Sequence, residues 1–280
     1  MEKSKVLILG HKGMLGQELM WAFASTSSRV VGWDIDEIDI TDEADVQLQI
    51  IRTNPDIIIN AAAYTAVDDC ETNRDLCFRV NGEAVGYIAK AAGKLGATMI
   101  HFSTDYVFSG ERKKGYPEDW PEICPINTYG NSKALGEKLL RSSIDKFFLI
   151  RTQWLYGGHG QNFVDTMLNL ARTHDEISVV NDQFGSPTWV RDLAHATRIL
   201  LTEKYEFGVY HLVNEGVTSW YDLAMEIFWE KDLPVKVHPV SSSEFPRPAK
   251  RPQYSCLLNT RGPRLPNWQR ALYQYLVSRD

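Results

Sequence analysis

A short apolar stretch that runs straight into three regularly spaced glycines is the feature that most constrains this chain. Residues 6–9 read Val-Leu-Ile-Leu, and Gly10, Gly13 and Gly16 follow ahead of an amphipathic stretch. A bare apolar run of this length is typical of a buried parallel strand. A helix that begins inside such a turn offers free N–H groups and a partial positive charge to phosphates. The order predicts a dinucleotide-binding turn at the start of an α/β fold; a glycine-rich turn without a ligand is the alternative.

Apolar runs and amphipathic stretches alternate along most of the chain. Strands are predicted at residues 5–9, 29–33, 56–60, 97–102, 147–151, 177–180 and 209–213. Helices are predicted between them, at residues 14–25, 43–53, 75–94, 128–143, 161–173 and 192–203. Alternation of this kind implies a parallel sheet that is covered by helices on both faces. We therefore expect an α/β protein with a Rossmann-like, doubly wound parallel sheet and a smaller C-terminal substrate-binding lobe.

The same alternation suggests where the chain divides. Residues 1–154, together with about 177–213, are expected to form the cofactor-binding domain. Residues from about 155–176 and 214–280 are expected to form the smaller, substrate-binding lobe. The proline-rich segment 234–266 is predicted to be irregular and to close over the site, which would exclude water.

Length and composition indicate a soluble cytoplasmic enzyme. The chain has 280 residues, and no apolar run approaches the ~20 residues that span a bilayer. The N-terminal apolar run is too short for a signal peptide. The four cysteines lack a Cys-x-x-Cys spacing and the seven histidines are scattered, so no metal site is expected.

Charge is distributed unevenly along the chain. The formal net charge is −6, yet residues 247–280 carry seven Lys/Arg against one Asp, a balance of +6. A basic C-terminal region suits an anionic diphosphate substrate, and a basic tail docked on an acidic body is the alternative. Nucleic acid is not expected as a partner, because the chain is acidic overall.

A tyrosine and a lysine four residues apart form the clearest candidate for proton transfer. Of the twelve tyrosines, only Tyr129 is followed by a lysine, Lys133, at this spacing. On a helix the spacing places both side chains on one face. A nearby ammonium favours phenolate over phenol, so the lysine is expected to lower the proton affinity of the tyrosine. The pair predicts a tuned proton donor; an ordinary surface pair is the alternative.

A hydroxyl at the end of the fourth predicted strand is a second candidate. Thr104 stands there, between Ser103 and Asp105. Its hydroxyl could donate to a substrate carbonyl and stabilise the oxyanion that develops as hydride arrives. A threonine that only satisfies the strand-end backbone is the alternative, and the presence of Tyr129 favours the catalytic interpretation.

Two side chains near the glycine turn bear on the choice of cofactor. Asp34 ends the second predicted strand, 18 residues beyond Gly16, close to the ~20 expected for an acid that binds the cofactor ribose. A carboxylate there accepts from a free 2′-hydroxyl and repels a 2′-phosphate, whereas Lys12 in the turn would attract one. The expected cofactor is therefore NADPH or NADH.

The glycine spacing and the distant Tyr-x-x-x-Lys together resemble the extended short-chain dehydrogenases/reductases. Within that superfamily the chain resembles the dTDP-4-dehydrorhamnose reductase family over nearly its whole length. The matching blocks are Ala-Ala-Ala-Tyr-Thr-Ala-Val-Asp-Asp (61–69), Ser-Thr-Asp-Tyr-Val-Phe (103–108), Tyr-Gly-Asn-Ser-Lys-Ala-Leu-Gly-Glu (129–137), Ile-Arg-Thr-Gln-Trp-Leu-Tyr-Gly (150–157), Asn-Phe (162–163), Asp-Gln-Phe-Gly-Ser-Pro-Thr (182–188) and Arg-Pro-Ala-Lys-Arg-Pro-Gln-Tyr-Ser (247–255).

The resemblance implies reduction of the C4 ketone of dTDP-4-dehydro-L-rhamnose to dTDP-L-rhamnose. It implies that Tyr129 donates the proton, Lys133 tunes it and holds the nicotinamide ribose, and Thr104 positions the carbonyl. Cofactor contacts are expected at Gly10, Lys12, Gly13, Met14, Leu15, Gly16, Asp34, Asp39, Ile40, Ala62, Ala63, Tyr64, Ser103, Tyr129 and Lys133. Substrate contacts are expected at Val67, Thr104, Asp105, Trp154, Arg247 and Arg251.

At two places the sequence differs from that of relatives, and each difference argues against one property of those relatives. Nucleotide-sugar dehydratases of this branch have an acidic pair after the threonine, whereas here Asp105 is followed by Tyr106, so dehydration is not expected. Some relatives dimerise through Mg²⁺ held by glutamates, one of them beside the glycine turn. That neighbourhood reads Met-Leu-Gly-Gln-Glu (14–18), so no metal-bridged dimer is expected, and a homodimer without metal stays open.

Two other functions remain as alternatives. One is another nucleotide-sugar 4-ketoreductase or epimerase that uses the same catalytic set. The other is a non-catalytic, NADP-binding regulatory subunit that resembles the partner of methionine adenosyltransferase, because such subunits can keep these residues.

Overall fold

The computed structural model describes residues 4–279. Its strands in chain order are β1 (Lys5–Leu9), β2 (Arg29–Trp33), β3 (Ile57–Asn60), β4 (Thr98–Thr104), β5 (Phe147–Thr152), β6 (Leu155–Tyr156), β7 (Glu176–Val180), β8 (Phe184–Gly185), β9 (Thr188–Trp189), β10 (Gly208–His211), β11 (Thr218–Ser219) and β12 (Lys236–Val240). Its helices are α1 (Met14–Ala24), α2 (Glu43–Thr53), α3 (Arg74–Phe78), α4 (Ala84–Leu95), α5 (Thr128–Ser143), α6 (Phe163–Leu170), α7 (Val190–Thr202), α8 (Trp220–Glu230) and α9 (Trp268–Val277). A π-helical turn at Arg79–Glu83 joins α3 to α4.

Six strands form one parallel sheet with the order β10-β5-β4-β3-β1-β2. The chain begins at β1, adds β2 on one side and then adds β3 on the other, so the winding reverses between β1 and β3. In open α/β sheets ligands bind at such a reversal, beyond the carboxyl ends of the strands. The predicted Rossmann-like, doubly wound fold is confirmed, and the glycine turn lies at this reversal because it follows β1 directly.

Helices cover both faces of the sheet, which explains the bare apolar runs of its strands. Val6 and Ile8 of β1 belong to a core with α1 and α7, whereas Leu7 and Leu9 belong to a core with α2 and α4. Alternate residues of a strand point to opposite faces, so a strand that is buried on both sides must be apolar throughout. Among residues 4–279, no helix has the length and apolar character that crossing a bilayer requires.

The strand predicted at 177–180 joins a different sheet from the one expected. Within the range 177–213 that was assigned to the cofactor-binding domain, β7 pairs in parallel with β12 in a separate two-stranded sheet, whereas β10 joins the large one. Residues of β7 alternate between exposed and buried, as in a sheet with one solvated face. β7 therefore pairs with a strand from the segment 214–280 that had been assigned to the smaller lobe. The division into two domains stays a prediction.

The proline-rich segment 234–266 had been expected to be irregular, but part of it forms a regular strand. It contains β12, in which Pro239 is tolerated because the strand is at the edge of a two-stranded sheet. Beyond β12 the described chain has no long strand or helix until α9 begins at Trp268. The part that approaches the site is residues 245–251, which we call the strap.

Candidate active site

The glycine turn brings β1 and the loop after β3 into close contact. Gly10 has φ +78°, and a Cβ there would lie 2.6 Å from the backbone nitrogen of Ala62. A Cβ on Gly16 would lie 2.0 Å from the carbonyl oxygen of Gly10. Gly13 precedes α1 and provides no side-chain cap, so the first N–H groups of the helix stay open to a ligand. These features fit the pyrophosphate of a dinucleotide.

A cleft of about 920 Å³ opens beside this turn. Nine of the predicted cofactor residues line it, namely Gly10, Lys12, Gly13, Asp34, Asp39, Ile40, Ala62, Ala63 and Tyr64. Leu15 is instead buried in the core beneath α1, and Met14 lies near Gly157 on the other side of the helix. Sequence reasoning missed other lining residues, among them Trp33, Thr41, Leu76 and Arg79.

Acidic side chains hold Lys12 in place at the rim of the cleft. Its backbone N–H donates to Oδ2 of Asp34 at 2.9 Å, and its ammonium pairs with Asp36 and lies 3.7 Å from Glu37. The hydrogen bond that Lys12 donates to Asp36 raises the pKa of Lys12. Arg79 supplies a second cation on the opposite wall, where Nη2 donates to Thr41 Oγ1 at 2.9 Å. The cleft thus presents both an acid and cations to the ribose end of a dinucleotide.

Asp34 should discriminate between the two cofactors. We expect Asp34→Ala to weaken NADH binding roughly ten-fold, an effect of about 1.4 kcal/mol, and NADPH binding much less. The carboxylate can accept a hydrogen bond from a free 2′-hydroxyl, whereas it repels a 2′-phosphate. Equilibrium titration of each cofactor by fluorescence measures the two effects. An equal loss of both affinities would show that Asp34 does not bind the ribose.

The predicted tyrosine and lysine lie on one face of α5. Asn127 caps this helix by accepting from the N–H of Gly130 at 2.7 Å. Lys133 is buried, and its Nζ donates to the carbonyl oxygen of Phe102 in β4 at 2.6 Å. Burial lowers the pKa of Lys133 to about 8, with Glu137 acting in the opposite direction. The lysine therefore joins α5 to the strand that ends at Thr104.

Tyr129 is partly buried beside Tyr106, whose ring meets it edge-on with centroids 5.8 Å apart. Burial raises the pKa of Tyr129, and the charge of Asp105 raises it further, while a hydrogen bond with Thr104 acts in the opposite direction. The expectation that Lys133 lowers the proton affinity of Tyr129 does not hold in this arrangement. The reason is that burial dominates and the ammonium is directed to a backbone carbonyl.

Thr104 and Asp105 form a closed pair at the end of β4. Thr104 Oγ1 donates to Asp105 Oδ1 at 2.8 Å and accepts from the N–H of Tyr106 at 3.2 Å. The side-chain amide of Gln153 is oriented so that both its nitrogen and its oxygen have hydrogen-bond partners. In this orientation the nitrogen donates to Asp105 Oδ2 at 3.2 Å. Burial raises the pKa of Asp105 to about 7. Asp105, a predicted substrate contact, is therefore buried and bonded within the protein in this structure.

Asp105 should make the stability of the protein depend on pH. The carboxyl of Asp105 has a pKa of about 7 in the folded protein, against a usual value of 3.8. Between these two pH values the folded protein therefore binds one proton more than the unfolded protein does. The free energy of unfolding should then fall as pH rises from about 4 through about 7, by about 4 kcal/mol at most. Asp105→Asn, which resembles the protonated carboxyl, should flatten this dependence. Denaturant unfolding across that range tests it, and an unchanged slope in the variant contradicts it.

A buried ion pair holds the strands and the helix of the site together. Arg151 of β5 donates to both carboxylate oxygens of Glu137, from Nε at 2.8 Å and from Nη2 at 2.7 Å. Ser103, a predicted cofactor contact, donates its hydroxyl to the same carboxylate at 2.7 Å. The Arg151 guanidinium also lies over the ring of Phe108, 4.9 Å from its centroid. Sequence reasoning missed this pair, although Glu137 stands one helical turn after Lys133.

A second cavity, of about 420 Å³, lies between the loop after β3 and the smaller lobe. Its lining comprises Asp68, Tyr106, Phe163, Thr166, Met167, Leu170, Ser178, Val179, Val180, Gln183, Trp220, Phe245, Arg247 and Arg251. Two predicted substrate contacts, Arg247 and Arg251, line this cavity. Val67 does not, and Trp154 stacks behind Trp220 with ring centroids 3.5 Å apart. Trp220 therefore presents an aromatic wall to this cavity, and the substrate contact expected at Trp154 stays a prediction.

Comparison with known proteins agrees with this geometry. The sequence model of the family described as "RmlD substrate binding domain" matches residues 4–279. The chain is 38% identical to the dTDP-4-dehydrorhamnose reductase of Escherichia coli (strain K12), over 94% of each chain. It superposes with TM-score 0.95 on a dTDP-4-dehydrorhamnose reductase from Clostridium acetobutylicum, at 40% identity, covering 98% of this chain and 99% of that one. It superposes with TM-score 0.95 on the Bacillus anthracis enzyme in complex with NADP, at 38% identity, covering 99% and 100%. The chain therefore belongs to the dTDP-4-dehydrorhamnose reductase family.

Proposed function

We propose that this protein reduces the C4 ketone of dTDP-4-dehydro-L-rhamnose to dTDP-L-rhamnose with NADPH. The observation that carries the proposal is the placement of three side chains at β4, within the fold of a family whose relatives are named for this reaction: Thr104 ends the strand, Lys133 donates to Phe102 within it, and Tyr129 hydrogen-bonds with Thr104. NADPH is assigned because a relative 38% identical was solved in complex with NADP. A cytoplasmic location and a homodimer stay predictions.

The side chains suit proton transfer to a reduced carbonyl. When bound, the nicotinamide supplies hydride to C4 of the sugar. Tyr129 then donates its phenolic proton to the C4 oxygen; the phenol is protonated at neutral pH, as a donor must be, although its raised pKa makes it a weaker acid than a free tyrosine. Lys133, with a pKa of about 8, remains largely charged at neutral pH and, by donating to the carbonyl oxygen of Phe102, fixes α5 and hence Tyr129 against the end of β4.

Thr104 must change partners during the reaction. Its hydroxyl donates to Asp105 in the structure, so it becomes available to the substrate carbonyl only when it turns away from that carboxylate. Protonation of Asp105 would release it, because a protonated carboxyl is a poorer acceptor. We therefore assign to Asp105 the control of the Thr104 hydroxyl. In this role Asp105 acts through Thr104 and does not itself contact the substrate.

The test is turnover against a panel of sugar nucleotides. The purified chain is given NADPH and dTDP-4-dehydro-L-rhamnose, and loss of NADPH absorbance is followed together with chromatographic identification of dTDP-L-rhamnose. The control is a panel of 4-keto sugars on UDP and GDP. Preference for a different 4-keto sugar would favour the other ketoreductases, and cofactor binding without turnover of any of them would favour a regulatory subunit.

A further inference from the structure

An acidic side chain stands where the proposed substrate carries its own negative charge. Asp68 lies in the loop after β3 and lines the second cavity together with Arg247 and Arg251. A nucleotide sugar brings a diphosphate, which a free carboxylate at this place would repel. The presence of Asp68 therefore needs a physical reason.

Its contacts provide that reason, because Asp68 binds the strap rather than solvent. Oδ1 accepts from the backbone N–H of Ala249 at 3.1 Å and from Nη1 of Arg251 at 2.9 Å. Arg251 Nη1 also donates to the carbonyl oxygen of Ala249 at 2.7 Å, which closes a small ring of contacts. Nearby, the amide of Asn127 donates to the carbonyl oxygen of Lys250 at 2.8 Å. Asp68 and Asn127 thus attach the strap to the half of the molecule that holds the cofactor cleft.

The two arginines of the strap differ in their exposure to solvent and in their contacts. The Arg251 side chain is 17% exposed and hydrogen-bonded to Asp68, so its charge is already matched. The Arg247 side chain is 53% exposed, its Nη1 lies 3.9 Å from Asp68 Oδ2, and its guanidinium lies over the ring of Phe245, 4.8 Å from the centroid. Arg247 is therefore the cation that remains available to an anion in the cavity.

Electrostatics supports a lasting charge on Asp68. Burial raises the pKa of this carboxyl, but the hydrogen bonds from Arg251 and Ala249 and the nearby arginine charges more than offset it, so the pKa is lowered overall. The charged groups at Asp68 are Arg251, in direct contact at 2.9 Å, and Arg247 at 3.9 Å, and Tyr106 lines the same cavity. A carboxylate held in this way stays ionised at neutral pH and keeps the strap in one position.

We propose that Asp68 is a positioning residue for the diphosphate of the nucleotide sugar: it binds Arg251 and the strap backbone, and thereby sets Arg247 against that diphosphate. This inference rests on the proposed function for the identity of the substrate. The contacts that support it attach the strap to Asp68, and they can be tested without measuring turnover.

Asp68→Asn tests the charge while keeping an acceptor for the N–H of Ala249. We expect KM for the nucleotide sugar to rise roughly ten-fold, an effect of about 1.4 kcal/mol, with kcat within about three-fold and NADPH affinity unchanged. Calorimetric titration with dTDP should show the same loss, and this measurement needs no catalysis. Arg251→Gln should lose the same amount, and the double variant should lose no more than either single one, because all three break the same contact.

Controls separate positioning from a general effect on the fold. Glu176→Gln removes an exposed carboxylate from the smaller lobe, where it pairs with Lys236 and His238, and it should leave dTDP affinity unchanged. If Asp68→Asn binds dTDP as the unmodified protein does, or more tightly, the positioning role is wrong. If the unmodified protein binds dTDP and loses this binding in Asp68→Asn, yet reduces none of the sugars tested, the proposed reaction fails while the positioning role stands.

Discussion

Tyr129→Phe should lower kcat by roughly 10²–10⁴-fold while leaving NADPH affinity and stability nearly unchanged. The range is the usual contribution of a positioned general acid, and the variant removes one hydroxyl from a partly buried ring without altering its packing against Tyr106. Steady-state kinetics and cofactor titration on the same preparation measure both quantities.

The control for this variant is Tyr87→Phe, which removes a tyrosine hydroxyl from α4, far along the chain from the catalytic set. Its hydroxyl contacts Glu83 at 3.5 Å, so kcat should stay within about two-fold. A Tyr129→Phe protein with undiminished turnover would show that the proton comes from elsewhere.

Arg151→Met should lower the free energy of unfolding by about 3–5 kcal/mol. The substitution removes the bidentate partner of the buried carboxylate of Glu137, which then keeps only the hydroxyl of Ser103 and the half-exposed Arg141 at 3.6 Å. It also removes the donor to the neutral ring of His211, whose Nε2 lies 3.3 Å from Arg151 Nη1. Urea unfolding followed by circular dichroism measures the loss.

Two further variants identify the cause of that loss. Glu137→Gln combined with Arg151→Met should recover part of the stability, because a neutral amide then replaces the buried carboxylate that lost Arg151. Lys90→Met breaks an exposed pair with Glu43 and should cost less than about 1 kcal/mol. Equal losses in Arg151→Met and Lys90→Met would contradict a special role for the buried pair.

The elements around the glycine turn follow closely from local patterns. β1, β2 and α2 form within a residue or two of the predicted bounds, because their apolar spacing and the cap at Asp42 act over a few residues. Helix α9 was missed, although Trp268, Leu272 and Tyr275 are buried at helical spacing. The segment predicted to be irregular ended at residue 266, and no helix was predicted after it.

These local patterns could not predict contacts between residues that are far apart in the chain. A strand such as β7 is recognisable from its residues, but its partner depends on where β12, some sixty positions later, reaches it. The same limit applies to Asp68, whose partners Ala249 and Arg251 are 181 and 183 positions away. Short spacings carry no information about such contacts.

The amino-acid sequence by itself determined the sheet class, the dinucleotide turn and the candidate proton donor, because each depends on residues that are close together in the chain. Only the tertiary structure decided that Lys133 donates to Phe102, that Thr104 donates to Asp105, and that Trp220 rather than Trp154 lines the second cavity. Burial and hydrogen-bond geometry set these outcomes, since both are properties of neighbours that folding brings together from distant parts of the chain.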